Sequence, residues 1–278
     1  MKYSSVHDYE SGFTKDYNLW KLSSPSINYI KDKDKITIKR EMPYSKITFS
    51  TYKRHGITIN GLIAYTSPSD GGTFSFTYYD KITSLENFIA GRDGIAGIEV
   101  SNLNTYAVTN MRYMFYDTRI YSLNMSNWNT SNVTDMSHMF DKCYHVSNLN
   151  LSSFDTSNVT NMNSMFNHCE GVSTLDLSNF NTNKVTNMNS LFANCIHTNS
   201  INLSSFNTSN VADMGNMFSG CTQLTSLDLS SFDTSNVADM NRMFASCTFS
   251  SISISGFNTS NVSNMSGMFY SCKSLTSL

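Results

Sequence analysis

Over residues 97–278 the sequence predicts a repeat solenoid, with one short parallel β-strand and one short helix or pair of 3₁₀ turns per 25–26 residues, preceded by a small β-rich domain. Three observations lead there. A Met-Phe pair recurs at Met114-Phe115, Met139-Phe140, Met165-Phe166, Met217-Phe218, Met243-Phe244 and Met268-Phe269, and Leu191-Phe192 fills the one gap. A short apolar alternation recurs with the same period. Between the two, polarity comes from Ser, Thr and Asn, and charged residues make up only 14% of the chain. A period of this length marks arrays in which one unit cannot bury its own apolar face and must lie against its neighbours.

Residues 1–30 are rich in Tyr and Ser without clear periodicity and suit an arm that orders on a partner. They contain no apolar stretch followed by a small-residue cleavage site, so they do not read as a secretory signal. Residues 31–96 form the expected β-rich domain. The runs 36–40, 46–52, 57–64 and 73–79 alternate or carry β-branched and aromatic side chains. Pro43, His55-Gly56, Pro68 and Asp70-Gly71-Gly72 separate them as turn signals. Such a domain would cap the first repeat or anchor the chain.

Within the repeats, a Met stands three residues before each pair (Met111, Met136, Met162, Met188, Met214, Met240, Met265). A Val stands three residues before that Met (Val108, Val133, Val159, Val185, Val211, Val237, Val262). The resulting Val-x-x-Met-x-x-Met-Phe string puts apolar side chains on one face of a short helix or of 3₁₀ turns. The second limb alternates, as in Leu149-Asn150-Leu151, Leu175-Asp176-Leu177, Ile201-Asn202-Leu203 and Leu227-Asp228-Leu229, with weaker copies at Leu123-Asn124-Met125 and Ile98-Glu99-Val100. That period predicts one short strand per repeat. An apolar plug follows (Leu103, Trp128, Phe154, Phe180, Phe206, Phe232, Phe257), then a turn such as Asp155-Thr156-Ser157-Asn158 whose side chains could cap the next helical turn. The last residues, Leu275-Thr276-Ser277-Leu278, align with Leu224-Thr225-Ser226-Leu227, which suggests an array open at its C-terminal end, as in a fragment or a chain covered by a partner subunit.

The string L-x-L-S-S-F-x-T-S-N-V-x-x-M-x-x-M-F-x-x-C closely resembles the repeats of the BspA-like leucine-rich-repeat surface proteins, over about 180 residues. The resemblance implies a leucine-rich-repeat-like fold and an adhesive or host-contacting role. It brings no catalytic residue, and residues 1–96 lie outside it.

Chemistry-bearing residues are spread out. Cys143, Cys169, Cys195, Cys221, Cys247 and Cys272 occupy one phase of the repeat and are expected to be buried free thiols filling space, because equivalent rungs give no preferred disulfide partner and a straight row cannot surround zinc. The histidines, including His138, His145, His168 and His197, do not converge. No phosphate-binding, nucleophile-elbow or zinc-protease motif occurs, and neither cofactor nor metal is expected.

The outward strand positions are the candidate ligand face: Asn124, Asn150, Asp176, Asn202 and Asp228 in one row, and Ser152, Ser178, Ser204 and Ser230 beside it. Residues 97–278 carry a net charge of −5 against +3 for residues 1–96, so nucleic acid is not an expected partner, and no apolar run is long enough for membrane insertion. The expected function is therefore non-enzymatic. The chain would be an extracellular or cell-surface adhesion module presenting a polar face to a protein or glycan on a host or neighbouring cell. A phage virion component bound to neighbouring subunits is the alternative, and it would need no signal peptide. A glycan-cleaving enzyme is the remote one; it would need paired carboxylates, for which Asp176 and Asp228 are the candidates.

Overall fold

The computed structural model describes residues 27–32, 35–40, 45–51, 56–66, 72–78, 81–91 and 95–278. Among them, the strands ahead of the main repeat region are β1 (Ile27–Asp32), β2 (Lys35–Arg40), β3 (Ser45–Thr51), β4 (Gly56–Ile59), β5 (Leu62–Thr66), β6 (Gly72–Tyr78) and β7 (Ile95–Glu99). β1 pairs with β2 and β4 with β5, while β3 lies between β6 and β7; every pairing is antiparallel. Of the expected N-terminal arm, residues 27–30 lie in β1 and residues 1–26 fall outside the described residues.

Two expectations in this region change. The run 57–64 is a hairpin, turning at Asn60 and Gly61 with φ of 52° and 74°. Two consecutive positive φ values are what a type I′ hairpin turn requires, and Asn-Gly supplies them at low cost. Ile98 and Glu99, read as a weak copy of the repeat strand, instead pair antiparallel with Phe49 and Thr48 and belong to the β3 sheet.

Beyond it, a series of parallel bridges joins one residue of each repeat to the equivalent residue of the next: Ser84, Asn110, Asp135, Asn161, Asn187, Asp213, Asp239 and Asn264. This ladder lies between the Val and the first Met of each repeat. It does not lie on the Leu-x-Leu limb, where the strands were expected. There the described pairing is short: β8 (Thr174–Asp176) pairs in parallel with β9 (Ser200–Asn202), and Ser122↔Asn148 and Ser251↔Ser277 are isolated bridges.

The ladder also starts before the expected boundary at residue 97. Ile82, Leu85, Phe88 and Ile89, all buried, stand where Val108, Met111, Met114 and Phe115 stand one repeat later. Asn60 of the hairpin closes this first rung. Its Oδ1 accepts the amides of Thr83 (2.8 Å) and Ser84 (3.0 Å), and its Nδ2 donates to the Lys81 carbonyl at 2.9 Å.

No helix forms among the described residues, although the apolar spacing suggested one. The amides of Met111, Tyr113, Phe115 and Asp117 donate to the carbonyls of Asp135, Ser137, Met139 and Asp141 in the next repeat, at 2.9–3.0 Å. Those bonds replace the i→i−4 bonds of a helix. The residues between them close four-residue turns, as when the Met114 amide donates to the Met111 carbonyl at 3.2 Å. Each such turn carries a left-handed residue, and the two left-handed rows are periodic: Tyr113, His138, Ser164, Ser190, Asn216, Arg242 and Gly267, then Asp117, Lys142, His168, Asn194, Gly220, Ser246 and Ser271. A positive φ at the third position of a turn is the type II geometry and ends any helical run.

The predicted apolar positions do face inward. From Val108 to Phe244 each Val, Met and Phe of the string is buried, with Leu191 in its gap. The rings of Phe115, Phe140, Phe166, Phe192, Phe218, Phe244 and Phe269 follow one another at 5.5–5.8 Å between centroids and within 18° of parallel. Aromatic contacts of this kind add about 0.5–1.5 kcal/mol each beyond the area they bury. In the last copy Met265 is 46% exposed.

Candidate functional site

The positions expected to form a ligand face lie in an exposed row, and their side chains are held by their own backbone. Asn124, Asn150, Asp176, Asn202 and Asp228 are all exposed, as are Ser126, Ser152, Ser178, Ser204 and Ser230. Each Asn or Asp accepts through Oδ1 the amide N–H of the Ser two residues later, at 2.9–3.3 Å. This is an Asx turn, the local bond that short polar side chains offer where a chain bends. The hydroxyls of Ser126 and Ser152 also donate to Asn124 and Asn150, at 2.9 and 2.7 Å. Between repeats, Asn202 Nδ2 donates to Asp176 Oδ1 at 3.1 Å.

These bonds set the electrostatics. The Ser178 hydroxyl and amide hold the Asp176 carboxyl below its ordinary value, and the Ser230 amide and hydroxyl do the same for Asp228. Both are therefore anionic at neutral pH. A glycosidase acid needs the opposite shift, so the sole carboxylate pair considered for cleavage has no proton donor in it.

A second polar system, which sequence reasoning took for turn caps, binds repeat to repeat. Thr105, Thr130, Thr156, Thr182, Thr208 and Thr234 are buried. Thr130 Oγ1 accepts the Asp155 amide at 2.8 Å and donates to the Asp155 carbonyl at 2.9 Å. The same double bond joins Thr182 to Asn207 and Thr234 to Asn258, each contact at 2.8–3.0 Å. Two residues further on, the amides of Asn158, Asn210, Asn236 and Asn261 reach back to carbonyls of the preceding repeat at 2.6–2.7 Å. Thr-Ser-Asn is thus a lateral fastener, and its buried groups are unavailable to a ligand.

The cysteines are free and form the expected row. Five are buried and Cys272 is partly so. Each thiol donates to a Phe carbonyl of the preceding repeat, Cys169 to Phe140 and Cys195 to Phe166 for example, at 3.1 and 3.0 Å. Burial pushes the thiols of Cys143, Cys195 and Cys247 up to about 12, which leaves them protonated and poor nucleophiles. No group of three or more His, Cys, Asp or Glu residues that could hold a metal ion occurs among the described residues. His138 meets Asp141 at 2.7 Å and His168 meets Glu170 at 3.2 Å, both local bonds.

Sequence reasoning missed one feature. Tyr121 is 61% exposed and stacks on His145 of the next repeat, with centroids 5.5 Å apart; Tyr144 is 36% exposed and meets His168 of the repeat after, edge-on at 5.9 Å. The signal was available as Tyr and His standing at phases where later repeats carry Ser173, Asn199 and Thr222.

A family model described as "Mycoplasma protein of unknown function, DUF285" matches residues 83–201 and again residues 168–277. The first match begins one residue before the first bridged residue, Ser84. No curated protein matches the chain. No solved structure matches it either. Among the described residues, no helix is long and apolar enough to cross a membrane.

Proposed function

This chain belongs to the DUF285 family, and from that membership and the surface just described we propose that its repeats are a non-enzymatic interaction module acting outside the cell. In this reading residues 83–277 form a leucine-rich-repeat-like solenoid of the BspA-like kind, and the row from Asn124 to Asp228 meets a protein or glycan on a host or neighbouring cell.

The observation that carries the reading is the pre-organised polar row. The Oδ1 of each Asn and Asp is tied to the amide two residues on, while Asn124 and Asn150 donate through Nδ2 to no other group among the described residues. Side chains already held in one conformation lose little entropy when a ligand arrives, so many individually weak hydrogen bonds can sum to useful affinity. The repeat period then offers the same donor and acceptor set again in each successive copy.

The test uses the labelled full chain on an array of glycans and extracellular proteins, next to a variant with Asn124, Asn150, Asp176, Asn202 and Asp228 all changed to Ala. The proposal expects at least one ligand, bound at least tenfold more weakly by the variant. Equal binding by the two proteins would remove the row from the function, and a silent array would count against display. Labelling of intact source cells with an antibody to the repeats checks the location, and signal only after permeabilisation would contradict it.

A further inference from the structure

We infer that Tyr121, Tyr144, His145 and His168 form a platform for an uncharged linear oligosaccharide, lying across the first three full repeats. The inference rests on the display reading above and narrows it to one ligand class and one end of the array.

The four side chains make two ring contacts between neighbouring repeats, and the two contacts are brought together by Tyr144 and His145 being consecutive in sequence. Tyr121 lies on His145 at 5.5 Å, Tyr144 adjoins His145 in sequence, and Tyr144 meets His168 at 5.9 Å. Tyr121 is 61% exposed even with His145 on one face, and His145 is exposed as well. An exposed aromatic ring presents a flat apolar body and a polar tip together. That pair of features matches a pyranose, whose axial C–H groups form an apolar face and whose rim carries hydroxyls.

Spacing supports a linear chain of sugars. Rings at one phase of successive repeats stand 5.5–5.8 Å apart in the buried Phe row, close to the length of one hexopyranose unit in an extended chain. Rings on neighbouring repeats would therefore meet neighbouring sugar units. The platform also borders the polar row, because Tyr121 lies three residues before Asn124, and the Ser147 amide donates to the Tyr121 carbonyl at 3.4 Å. Amide donors for ring hydroxyls stand at the edge of the aromatic surface.

Charge argues against an acidic ligand. Lys142 acts on Tyr144 together with Asp117, Asp141 and Glu170, and Arg119 stands two residues before Tyr121 in sequence. Lys142 is already engaged, its Nζ bonded to the Tyr116 hydroxyl at 2.9 Å, and Arg112 lies over the Tyr113 ring at 4.8 Å. A sulfated or carboxylated polymer would find no free cluster of cations here. The aromatic set is also confined. At the phase of Tyr121 the next copies carry Ser147, Ser173 and Asn199, and at the phase of Tyr144 they carry Glu170, Ile196 and Thr222.

The experiment titrates the full chain with cellohexaose and with the hexamer of β-1,4-linked N-acetylglucosamine, using heparin hexasaccharide as the acidic comparison. The variant is Tyr121→Ser with Tyr144→Thr, which installs residues that later repeats carry at these exposed positions. A second variant, Gln223→Ala with Thr225→Ala, alters exposed side chains of a later repeat that lie outside the polar row and far from the platform. The inference expects a neutral hexamer to bind, tyrosine-to-serine/threonine replacement to weaken it at least tenfold, and the distant variant to change it less than twofold. Undiminished binding by the tyrosine variant would overturn the platform while leaving display intact. Binding of heparin alone would overturn the ligand class. If no saccharide binds but an extracellular protein does, this inference fails and the broader proposal stands.

Discussion

Thr156 and Asn181 are joined twice across the gap between repeats: the Thr156 hydroxyl accepts the Asn181 amide at 2.8 Å and donates to the Asn181 carbonyl at 3.0 Å. One buried side chain thereby satisfies both backbone groups of a residue in the next repeat. Thr156→Val keeps the shape and removes both bonds, leaving the part-buried Asn181 amide and carbonyl without this partner. The expected loss is about 2–4 kcal/mol in denaturant unfolding, while Thr156→Ser should cost well under half of that. Hydrogen exchange at the Asn181 amide should accelerate in the Val variant. Equal stability of the Val and Ser variants would show that the hydroxyl is dispensable.

Phe192 lies between Phe166 at 5.8 Å and Phe218 at 5.5 Å. Phe192→Ala opens a cavity in a fully buried row and is expected to cost about 3–5 kcal/mol. Because each repeat touches only its neighbours, amide protection should fall first between residues 160 and 225 and least around Asn110. A uniform loss along the chain would contradict that local coupling.

Alkali should destabilise the fold through its thiols. An unfolded Cys titrates near 8.5, whereas Cys143, Cys195 and Cys247 hold their protons to about 12. Below about 8.5 both states are protonated and these groups add no pH dependence. Above it the unfolded chain loses protons that the folded chain keeps, so stability declines by about 1.4 kcal/mol per pH unit for each such thiol. Cys195→Ala should reduce that slope between pH 9 and 11 by about one thiol's share, measured by urea unfolding at each pH. An unchanged slope would place Cys195 in contact with solvent.

Gly220 sits in the second left-handed row at φ 76°, and a Cβ there would come within 2.5 Å of Asn194 Oδ1. Gly220→Ala should therefore destabilise by about 1–2 kcal/mol, from the left-handed backbone alone. Ser246→Gly, at φ 60° in the same row, should be neutral or slightly stabilising. Thermal unfolding of the two variants checks the opposite signs.

Legibility followed residue identity. Val159, Met162, Met165 and Phe166 announced a buried face because the same four residue types return in register, and their burial follows from that. The first rung was hidden because Ile82, Leu85, Phe88 and Ile89 keep the spacing and change the identities. The spacing i, i+3, i+6, i+7 could not distinguish a helix from successive type II turns, since the left-handed positions hold Tyr113, His138 or Arg242 and not only glycine. The parallel ladder was sought at Leu-x-Leu, where alternation pointed; it runs instead through Asn161, Asn187 and Asp213, whose side chains cap their own turns. The outward row at Asn150 and Asp176 was readable from alternation. The Tyr121–His145 contact was not: each residue stands out at its own phase, but the two phases differ and the side chains meet only when neighbouring repeats lie together.

Each repeat lies beside the next in register, so that its polar residues become rows on an exposed surface. Thr186 and Ala212 are both exposed, and the Ala212 amide donates to the Thr186 carbonyl at 2.9 Å. Cysteines placed at both positions should stand within disulfide reach. Mild oxidation of the native Thr186→Cys/Ala212→Cys protein is predicted to give a rapid intramolecular disulfide, and Thr186→Cys/Ala238→Cys, two repeats apart, is predicted to give none. Cross-linking that proceeds only in urea, or equally in both variants, would contradict this register.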